Sequence, residues 1–319
     1  MIRFSFLTAV LFFALAAVAQ TYPAKPIHLI VPFTPGGTTD ILARTLGQKW
    51  TEAWGKQVII DNRPGAGGTV GVEAAAKSAP DGYTVLVGHI GTLAVNPALY
   101  PKLPYDPLKS FTPVMQISIV PSVLVVHPAV RATTVAELVA LARANPGKLN
   151  YSSAGGGSAA HLSMEYFKLQ TGTEIVHVPY KGTAPSLTDL VGGQVSMTMT
   201  GAPAVMPHVQ AGRLRALGVS SIWRVDALPD IPTIAESGFA QFDATQWYGI
   251  LVPAGTPRDI IMKLNAETRR IMQSKEVQQR LRNEGAIAAS GTPEEFAAHI
   301  KSEIARWGEV VRKAGMKAD

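Results

Sequence analysis

The stretch NYSSAGGGSAAH, Asn150 to His161, places three consecutive glycines between a short apolar strand and the start of a predicted helix. A strand, a glycine turn and a helix in this order form the building unit of α/β folds. Glycine leaves main-chain N–H groups uncovered, so a ligand can approach the backbone of this loop. Three functions use such a loop: dinucleotide binding, acyl transfer through a nucleophile at Ser158, and binding of a small anion at a helix N-terminus.

Apolar strands alternate with helical patterns along most of the chain, which predicts α/β sheets with crossover helices. Two extended runs, Val114–Ile119 and Ser122–His127, follow each other without a helix and indicate a crossing between domains. A proline-rich stretch, VDALPDIPTIAESGF, indicates the return. We therefore predict two α/β lobes with a ligand cleft between them. The first domain comprises residues 20–121 and 230–319, and the second comprises residues 122–229.

Two Thr-Pro-x-acid motifs predict helix starts in the C-terminal part. Thr256 and Thr292 each precede a proline, with an acidic residue at the third position after the threonine. Threonine is a favoured N-cap residue, and proline is favoured at the first helical position. Both threonines are therefore predicted to cap helices.

The N-terminal residues 1–19 are predicted to be a secretory signal peptide. Arg3 precedes an apolar run from Phe4 to Ala19 that ends in an A-x-A pattern, so cleavage is expected between Ala19 and Gln20. This run is shorter than the ~20 residues that span a bilayer. The absence of cysteine suits an exported protein of this size, because a free thiol is a liability in an oxidising compartment.

The charge distribution argues against nucleic acid as a partner. The formal net charge is +6 at pH 7, and the basic residues are scattered without a long run. Such a surface favours anionic solutes in general. The seven histidines show no metal-binding spacing and no cysteine is present, so neither a metal nor another cofactor is expected.

A second loop of the same kind supports anion binding. VPFTPGGTTD, Val31 to Asp40, also runs from a strand through two glycines into a helix predicted to start near Thr38. The free N–H groups of this helix and of the helix at Ser158 could converge on one acidic ligand. Asp40 would lie in the first helical turn, where an acid stabilises the helix dipole.

The two other interpretations of the glycine loop have weaker support. Gly155-x-Gly157-x-x-Ala160 matches a dinucleotide fingerprint, but the acid that should hold the ribose is displaced, because Glu174 opens the next strand instead of closing it. A secreted serine hydrolase would use Ser158, with Asp189 and His208 downstream in the appropriate order. A serine after glycines is more often a helix N-cap.

Further polar candidates follow other predicted strands, where α/β sheets bind ligands. They are His89, Thr92, Asn96 and Thr200. His161, one turn into its helix, is expected to orient the glycine loop. A third glycine cluster, Asp61 to Gly71, predicts a hairpin or wide turn, with either an architectural role or a role in covering the cleft.

Several of these segments resemble the Bug family, the extracytoplasmic solute-binding proteins of tripartite tricarboxylate transporters. The resemblance is carried, in order, by YPAKPIHLIVPFTPGGTTDILAR, VIIDNRPGAGGTVGVEAAAKSAPDGYTVLVG, LNYSSAGGGSAAHLSMEYF, VPYKGTAPSLTDLVGGQV and GILVPAGTP. It implies a two-lobed, Venus-flytrap periplasmic binding protein (type II-like) without enzymatic activity. Such a protein would hold a small carboxylate and deliver it to a membrane permease with a large and a small integral subunit.

The resemblance also implies which residues touch the ligand. These are Phe33, Gly36, Gly37, Thr38, Asp40, Gly91, Thr92, Asn96, Ser153, Gly157, Ser158, His161, Thr200 and Ala202, with Trp247 as a wall. The SMTMTG segment departs from the family pattern and leaves a less polar side, so a dicarboxylate, a tricarboxylate and an aromatic acid remain open. A monomer is expected, and delivery to a sensor kinase is an alternative to transport.

Overall fold

The computed structural model describes residues 22–318, and the predicted signal peptide and its cleavage site lie outside these residues. The strands form two mixed sheets. The strands are β1 (Ile27–Val31), β2 (Val58–Asn62), β3 (Thr84–His89), β4 (Phe111–Val120), β5 (Ser122–Val126), β6 (Asn150–Ser153), β7 (Val176–Pro179), β8 (Met197–Gly201), β9 (Arg215–Val219), β10 (Gln246–Pro253) and β11 (Ile287–Ala288).

Ten α-helices lie within the described residues. They are α1 (Thr38–Trp54), α2 (Thr69–Ala76), α3 (Asn96–Leu99), α4 (Val135–Ala144), α5 (Ala159–Thr171), α6 (Thr183–Val191), α7 (Ala202–Gln210), α8 (Arg258–Met272), α9 (Lys275–Asn283) and α10 (Pro293–Lys313). Within the same range, no helix combines the length and apolar character needed to cross a bilayer.

The two sheets have related topologies. The first has the order β11-β4-β10-β3-β1-β2, with β1 parallel to β2 and β3 and with β10 antiparallel to β3 and β4. The second has the order β7-β6-β8-β5-β9, with β6 parallel to β7 and β8 and with β5 antiparallel to β8 and β9. The central strands are buried along almost their whole length, as expected of strands covered by helices on both faces.

The chain passes between the sheets at Pro121, which separates β4 from β5, and returns at β10. The domain limits at residues 121 and 230 remain predictions from the sequence. Thr233 still pairs with Val219 of the second sheet, and the Ile234 N–H donates to the Val219 carbonyl at 2.9 Å. These bonds favour a return crossing near Gln246, after the proline-rich stretch.

Of the two predicted threonine caps, one is confirmed. The Thr292 hydroxyl accepts from the Glu295 N–H at 3.1 Å, and the Glu295 carboxylate accepts from the Thr292 N–H at 2.8 Å, which together form a capping box. The prediction for Thr256 is wrong, because α8 begins one residue later with Pro257 as its N-cap. The Thr256 hydroxyl instead donates to the Pro253 carbonyl at 2.7 Å and closes the preceding turn.

Candidate functional site

A cavity between the two sheets is the candidate ligand site. Its walls come from both lobes, and no Lys, Arg, Asp or Glu side chain lines it. The lining residues are Phe33, Thr38, Thr39, His89, Ala154, Ser158, Ala159, Ala160, Thr183, Thr200, Gln246 and Tyr248. The site therefore offers hydrogen-bonding groups and backbone dipoles instead of formal charges.

Four helix N-termini meet around this cavity. Sequence reasoning anticipated α1 and α5, which begin at Thr38 and Ala159. The structure adds α6 and α7. The α1 and α6 starts are in contact, since a β-carbon placed on Gly37 would lie 3.1 Å from Thr183 Oγ1. The α1 and α7 starts are also in contact, since a β-carbon on Gly201 would lie 2.5 Å from Thr38 Oγ1.

This convergence makes the cavity electropositive without any cationic side chain. A helix N-terminus carries about half a positive charge, and its first N–H groups have no intrahelical acceptor. In α7 the Ala202 N–H donates to the Pro121 carbonyl at 3.1 Å and Pro203 has no N–H, so α7 contributes mainly its dipole. Such ends bind carboxylates and phosphates directly. The Thr38 hydroxyl adds a donor, because it is buried and has no hydrogen-bond partner. The arrangement can bind an anion.

Asp40 holds the first loop in place and does not line the cavity. Its carboxylate accepts from the Gly36 N–H at 3.0 Å, from Asn62 Nδ2 at 2.9 Å and from Arg44 Nε at 2.9 Å. Burial alone would raise the pKa of Asp40, but these three hydrogen bonds and the Arg44 charge hold it below its ordinary value. The Gly36 N–H is therefore satisfied by Asp40, and Asp40 acts as an anchor of the turn.

His161 and Ser153 play the corresponding part in the second loop. The Gly157 N–H donates to His161 Nδ1 at 3.0 Å, and the His161 N–H donates to Ser158 Oγ at 3.3 Å. The His161 ring stacks on His177 at a centroid distance of 4.2 Å. His177 Nε2 lies 2.6 Å from Ser153 Oγ. These contacts orient the glycine loop from behind, and Ser158 alone among these side chains reaches the cavity.

His89, at the end of β3, presents a neutral ring to the cavity. Its Nδ1 accepts from the Thr92 N–H at 3.1 Å, so the proton of the neutral ring lies on Nε2. Complete burial lowers the pKa of His89 to about 4. The ring lies 4.8 Å from Phe33 and 5.6 Å from Tyr248. His89 is thus a hydrogen-bond donor without a charge near neutral pH.

The predicted residues Gly91 and Asn96 lie where the lobes touch. A β-carbon on Gly91 would lie 2.5 Å from the Gly157 carbonyl oxygen, and one on Gly157 would lie 2.1 Å from Asn96 Oδ1. Asn96 Nδ2 donates to the Gly67 carbonyl at 3.3 Å. These residues bring the two backbones together beside the cavity.

The prediction that Trp247 walls the cavity is wrong. Successive side chains of a strand point to opposite faces, and in β10 the neighbours Gln246 and Tyr248 face the cavity. Trp247 points the other way, where its ring lies 5.8 Å from Phe296 and its Nε1 donates to Glu303 at 2.8 Å. Trp247 therefore belongs to the packing beneath α10.

Comparison with known proteins identifies the family. Residues 42–316 match the model of the tripartite tricarboxylate transporter family receptor. The chain belongs to this receptor family. Protein BugT of Bordetella pertussis is 42% identical to the receptor over 300 residues, which cover 94% of the receptor and 92% of BugT. The predicted resemblance to the Bug family is confirmed.

Solved structures are similar to the receptor in fold and sequence. R. palustris Rpa4515 with adipate is 40% identical, with a TM-score of 0.91 over 93% of the receptor and 99% of that chain. MatC of Rhodopseudomonas palustris with bound malate is 33% identical, with a TM-score of 0.87 over 91% and 100% of the two chains. The predicted two-lobed fold is confirmed. The receptor is periplasmic, as are the receptors of its family.

The receptor is a binding protein and not an enzyme, as its family and structural neighbours are receptors. Two of the three groups of the hydrolase interpretation make other contacts. The Ser158 hydroxyl caps α5, and the Asp189 carboxylate accepts from the Tyr180 hydroxyl at 2.7 Å. His208 Nδ1 has no hydrogen-bond partner. Residues 22–318 also contain no cluster of three or more His, Asp or Glu side chains suited to a metal ion.

Four of the predicted contact residues line the cavity, namely Phe33, Thr38, Ser158 and Thr200. Sequence reasoning missed Thr183, Gln246 and Tyr248 as lining residues, whereas Thr39 lies within the Phe33–Asp40 loop that the resemblance implied. The Lys-Gly-Thr-Ala-Pro segment at the start of α6 carried a usable signal, since it is another glycine turn leading into a helix. Ala202, at the start of α7, is fully buried and does not line the cavity.

Proposed function

We propose that the receptor captures a small carboxylate in the cavity between its lobes and delivers it to a tripartite membrane permease with a large and a small integral subunit. The observation that carries this proposal is the convergence of four helix N-termini on a cavity without charged side chains. A carboxylate is the common anion that such dipoles stabilise.

The similar structures support a carboxylate in particular. One was solved with adipate and the other with malate. Both acids are small dicarboxylates, and both structures share the fold of the receptor over more than nine tenths of its length. Thr38 and Ser158, which line the cavity from the two glycine loops, are proposed to hold one carboxylate group together with the N–H groups at the starts of α1 and α5. Asp40 and His161 are proposed to hold these loops in position.

The other end of the ligand is proposed to meet β10. The Tyr248 hydroxyl donates to Gln246 Oε1, and Gln246 Nε2 donates to Ser122 Oγ at 2.7 Å. Tyr248 thus donates its proton within the protein, and its oxygen lines the cavity beside the Thr38 and Thr39 hydroxyls, with acceptor capacity only. This oxygen can accept a hydrogen bond from a ligand hydroxyl group, and an acid that carries one fits this wall.

Capture is proposed to proceed by closure of the lobes about the two chain crossings. A ligand shifts the open–closed equilibrium because only the closed form brings the helix N-termini of both lobes to it. We further propose that the chain is exported with cleavage between Ala19 and Gln20 and acts as a monomer.

A thermal-shift screen of small acids against their amides tests the carboxylate proposal. Adipate and malate are included, together with hydroxylated, aromatic and tricarboxylic acids. A ligand that binds only the folded protein stabilises it by about 2.7 kcal/mol at a hundredfold excess over Kd. We expect a rise in Tm with at least one free acid and none with its amide.

The screen is repeated on protein that has been unfolded and refolded, which removes any acid that co-purifies. If no acid raises the Tm of the refolded protein, carboxylate capture is contradicted. Equal shifts with an acid and its amide would contradict it as well, because the helix N-termini would then play no part in selecting the anion.

A further inference from the structure

Tyr100 forms a hydrogen bond between the two lobes. This residue follows α3 in the first lobe, and its hydroxyl donates to the Gly156 carbonyl of the second lobe at 2.8 Å. Tyr100 does not line the ligand cavity. Its bond therefore connects the lobes without touching the proposed ligand.

The surfaces around this bond are in backbone contact. A β-carbon on Gly67 would lie only 2.0 Å from the Gly156 carbonyl oxygen and 3.1 Å from the Tyr100 hydroxyl. A β-carbon on Gly91 would lie 2.5 Å from the Gly157 carbonyl oxygen. The glycines let the lobes approach until the phenol reaches its acceptor.

Both partners of the bond are held in position by their own lobes. The Tyr100 N–H donates to the Asn96 carbonyl at 3.0 Å, which fixes the residue at the end of α3. Gly155 and Gly157 have φ values of +105° and +85°, a region that favours glycine, and this turn directs the Gly156 carbonyl towards the first lobe. The bond from the Gly157 N–H to His161 Nδ1 maintains the turn.

The position of the bond distinguishes it from the polar contact near the hinge. Gln246 donates to Ser122 directly beside the two chain crossings, where opening moves atoms least. Tyr100 and Gly156 belong to loops of different lobes, and neither loop is part of a chain crossing, so opening separates donor and acceptor. The Tyr100 bond is therefore formed in the closed state and lost in the open state.

We propose that Tyr100 is a positioning residue that acts as a closure latch and sets the ratio of closed to open receptor. This inference rests on the proposed function only in taking closure as the capture step. A hydrogen bond contributes about 1 kcal/mol net, which corresponds to a factor of about five in an equilibrium constant. Removing the hydroxyl lowers the closed-to-open ratio by about that factor.

Spin-label distance measurements on Tyr100→Phe test the latch. The chain has no cysteine, so Val70→Cys and Val176→Cys provide unique labelling sites, one in each lobe, on exposed side chains. The matched control is Tyr22→Phe, since the Tyr22 hydroxyl donates to the Gly82 carbonyl at 2.6 Å within the first lobe. All three proteins are measured alone and with adipate or malate.

We expect Tyr100→Phe to lower the closed-to-open ratio about five-fold, while Tyr22→Phe keeps the distance distribution of the parent. Equal ratios in the parent and in Tyr100→Phe, in the free and the acid-containing samples alike, would overturn the latch. The same ratio change in Tyr22→Phe would also overturn it. The closed-to-open ratio could also differ between the parent and Tyr100→Phe without responding to either acid. That result would support the latch, and it would count only against binding of adipate and malate.

Discussion

At the scale of the residue, Gly157 combines two demands that only glycine meets. Its φ is +85°, and a β-carbon would lie 2.1 Å from Asn96 Oδ1 in the other lobe. We expect Gly157→Ala to lose about 1–2 kcal/mol of stability through backbone strain. We also expect it to bind the acid identified by the screen at least tenfold more weakly, as measured by titration calorimetry.

Gly172→Ala separates the two effects. Gly172 lies in the same lobe with a φ of +59°, and a β-carbon there meets nothing within 4 Å. This variant should show a similar loss of stability with unchanged affinity. If both variants bind as tightly as the parent, the approach of the lobes at Gly157 is not needed for capture.

At the scale of the element, the alternation of β10 assigns different roles to neighbouring aromatic residues. Tyr248→Phe removes a hydroxyl that faces the cavity and donates to the buried Gln246 Oε1, so we expect a roughly 5- to 30-fold loss of affinity together with ~1–3 kcal/mol of destabilisation. Trp247→Phe removes a donor to the buried Glu303 carboxylate, so we expect ~1–3 kcal/mol of destabilisation with unchanged affinity. Titration calorimetry and urea unfolding of both variants measure the two effects.

The two variants serve as each other's controls. Glu303 also accepts from Trp307 Nε1 at 2.8 Å, so Trp247→Phe leaves the carboxylate with one indole partner and should still fold. A large loss of affinity in Trp247→Phe with none in Tyr248→Phe would contradict the observed direction of the strand's side chains.

The same strand shows what the sequence could and could not predict. The strands, the glycine turns and the starts of α1 and α5 follow from local patterns of apolar residues, glycine and hydroxyl side chains. The side of β10 that faces the ligand depends on α10, which covers Trp247 from a distant part of the chain. The α6 start is preceded by a single glycine, and α7 follows β8 directly, so neither start carries the paired glycines that marked α1 and α5.

At the scale of the whole molecule, the affinity for an anion is proposed to come from the way the two lobes bring helix N-termini together. Four helices begin at one cavity, although their first residues are up to 164 positions apart in the sequence. Since the packing of each helix fixes its dipole, no side chain has to become ordered to create the positive potential when the lobes close. This arrangement suits a receptor that must bind an acid and later release it to a partner.

The burial of a neutral histidine makes the stability of the whole receptor depend on pH. The pKa of His89 is about 4 in the folded protein and about 6.5 when unfolded, so between these values only the unfolded chain takes up the proton. The stabilisation is complete above pH 6.5 and is lost as the pH falls towards 4, by up to ~3 kcal/mol at 1.36 kcal/mol per pKa unit.

Urea unfolding between pH 7 and pH 4.5 measures this dependence. In His89→Gln, the amide oxygen can still accept from the Thr92 N–H but cannot titrate, so its free energy of unfolding should fall less steeply with decreasing pH than that of the parent. His28→Gln, which alters an exposed histidine of β1, should keep the parent's slope. If His89→Gln and the parent have equal slopes, the His89 ring already carries a proton in the folded receptor or stays accessible to solvent, and its role as a neutral donor in the cavity is wrong.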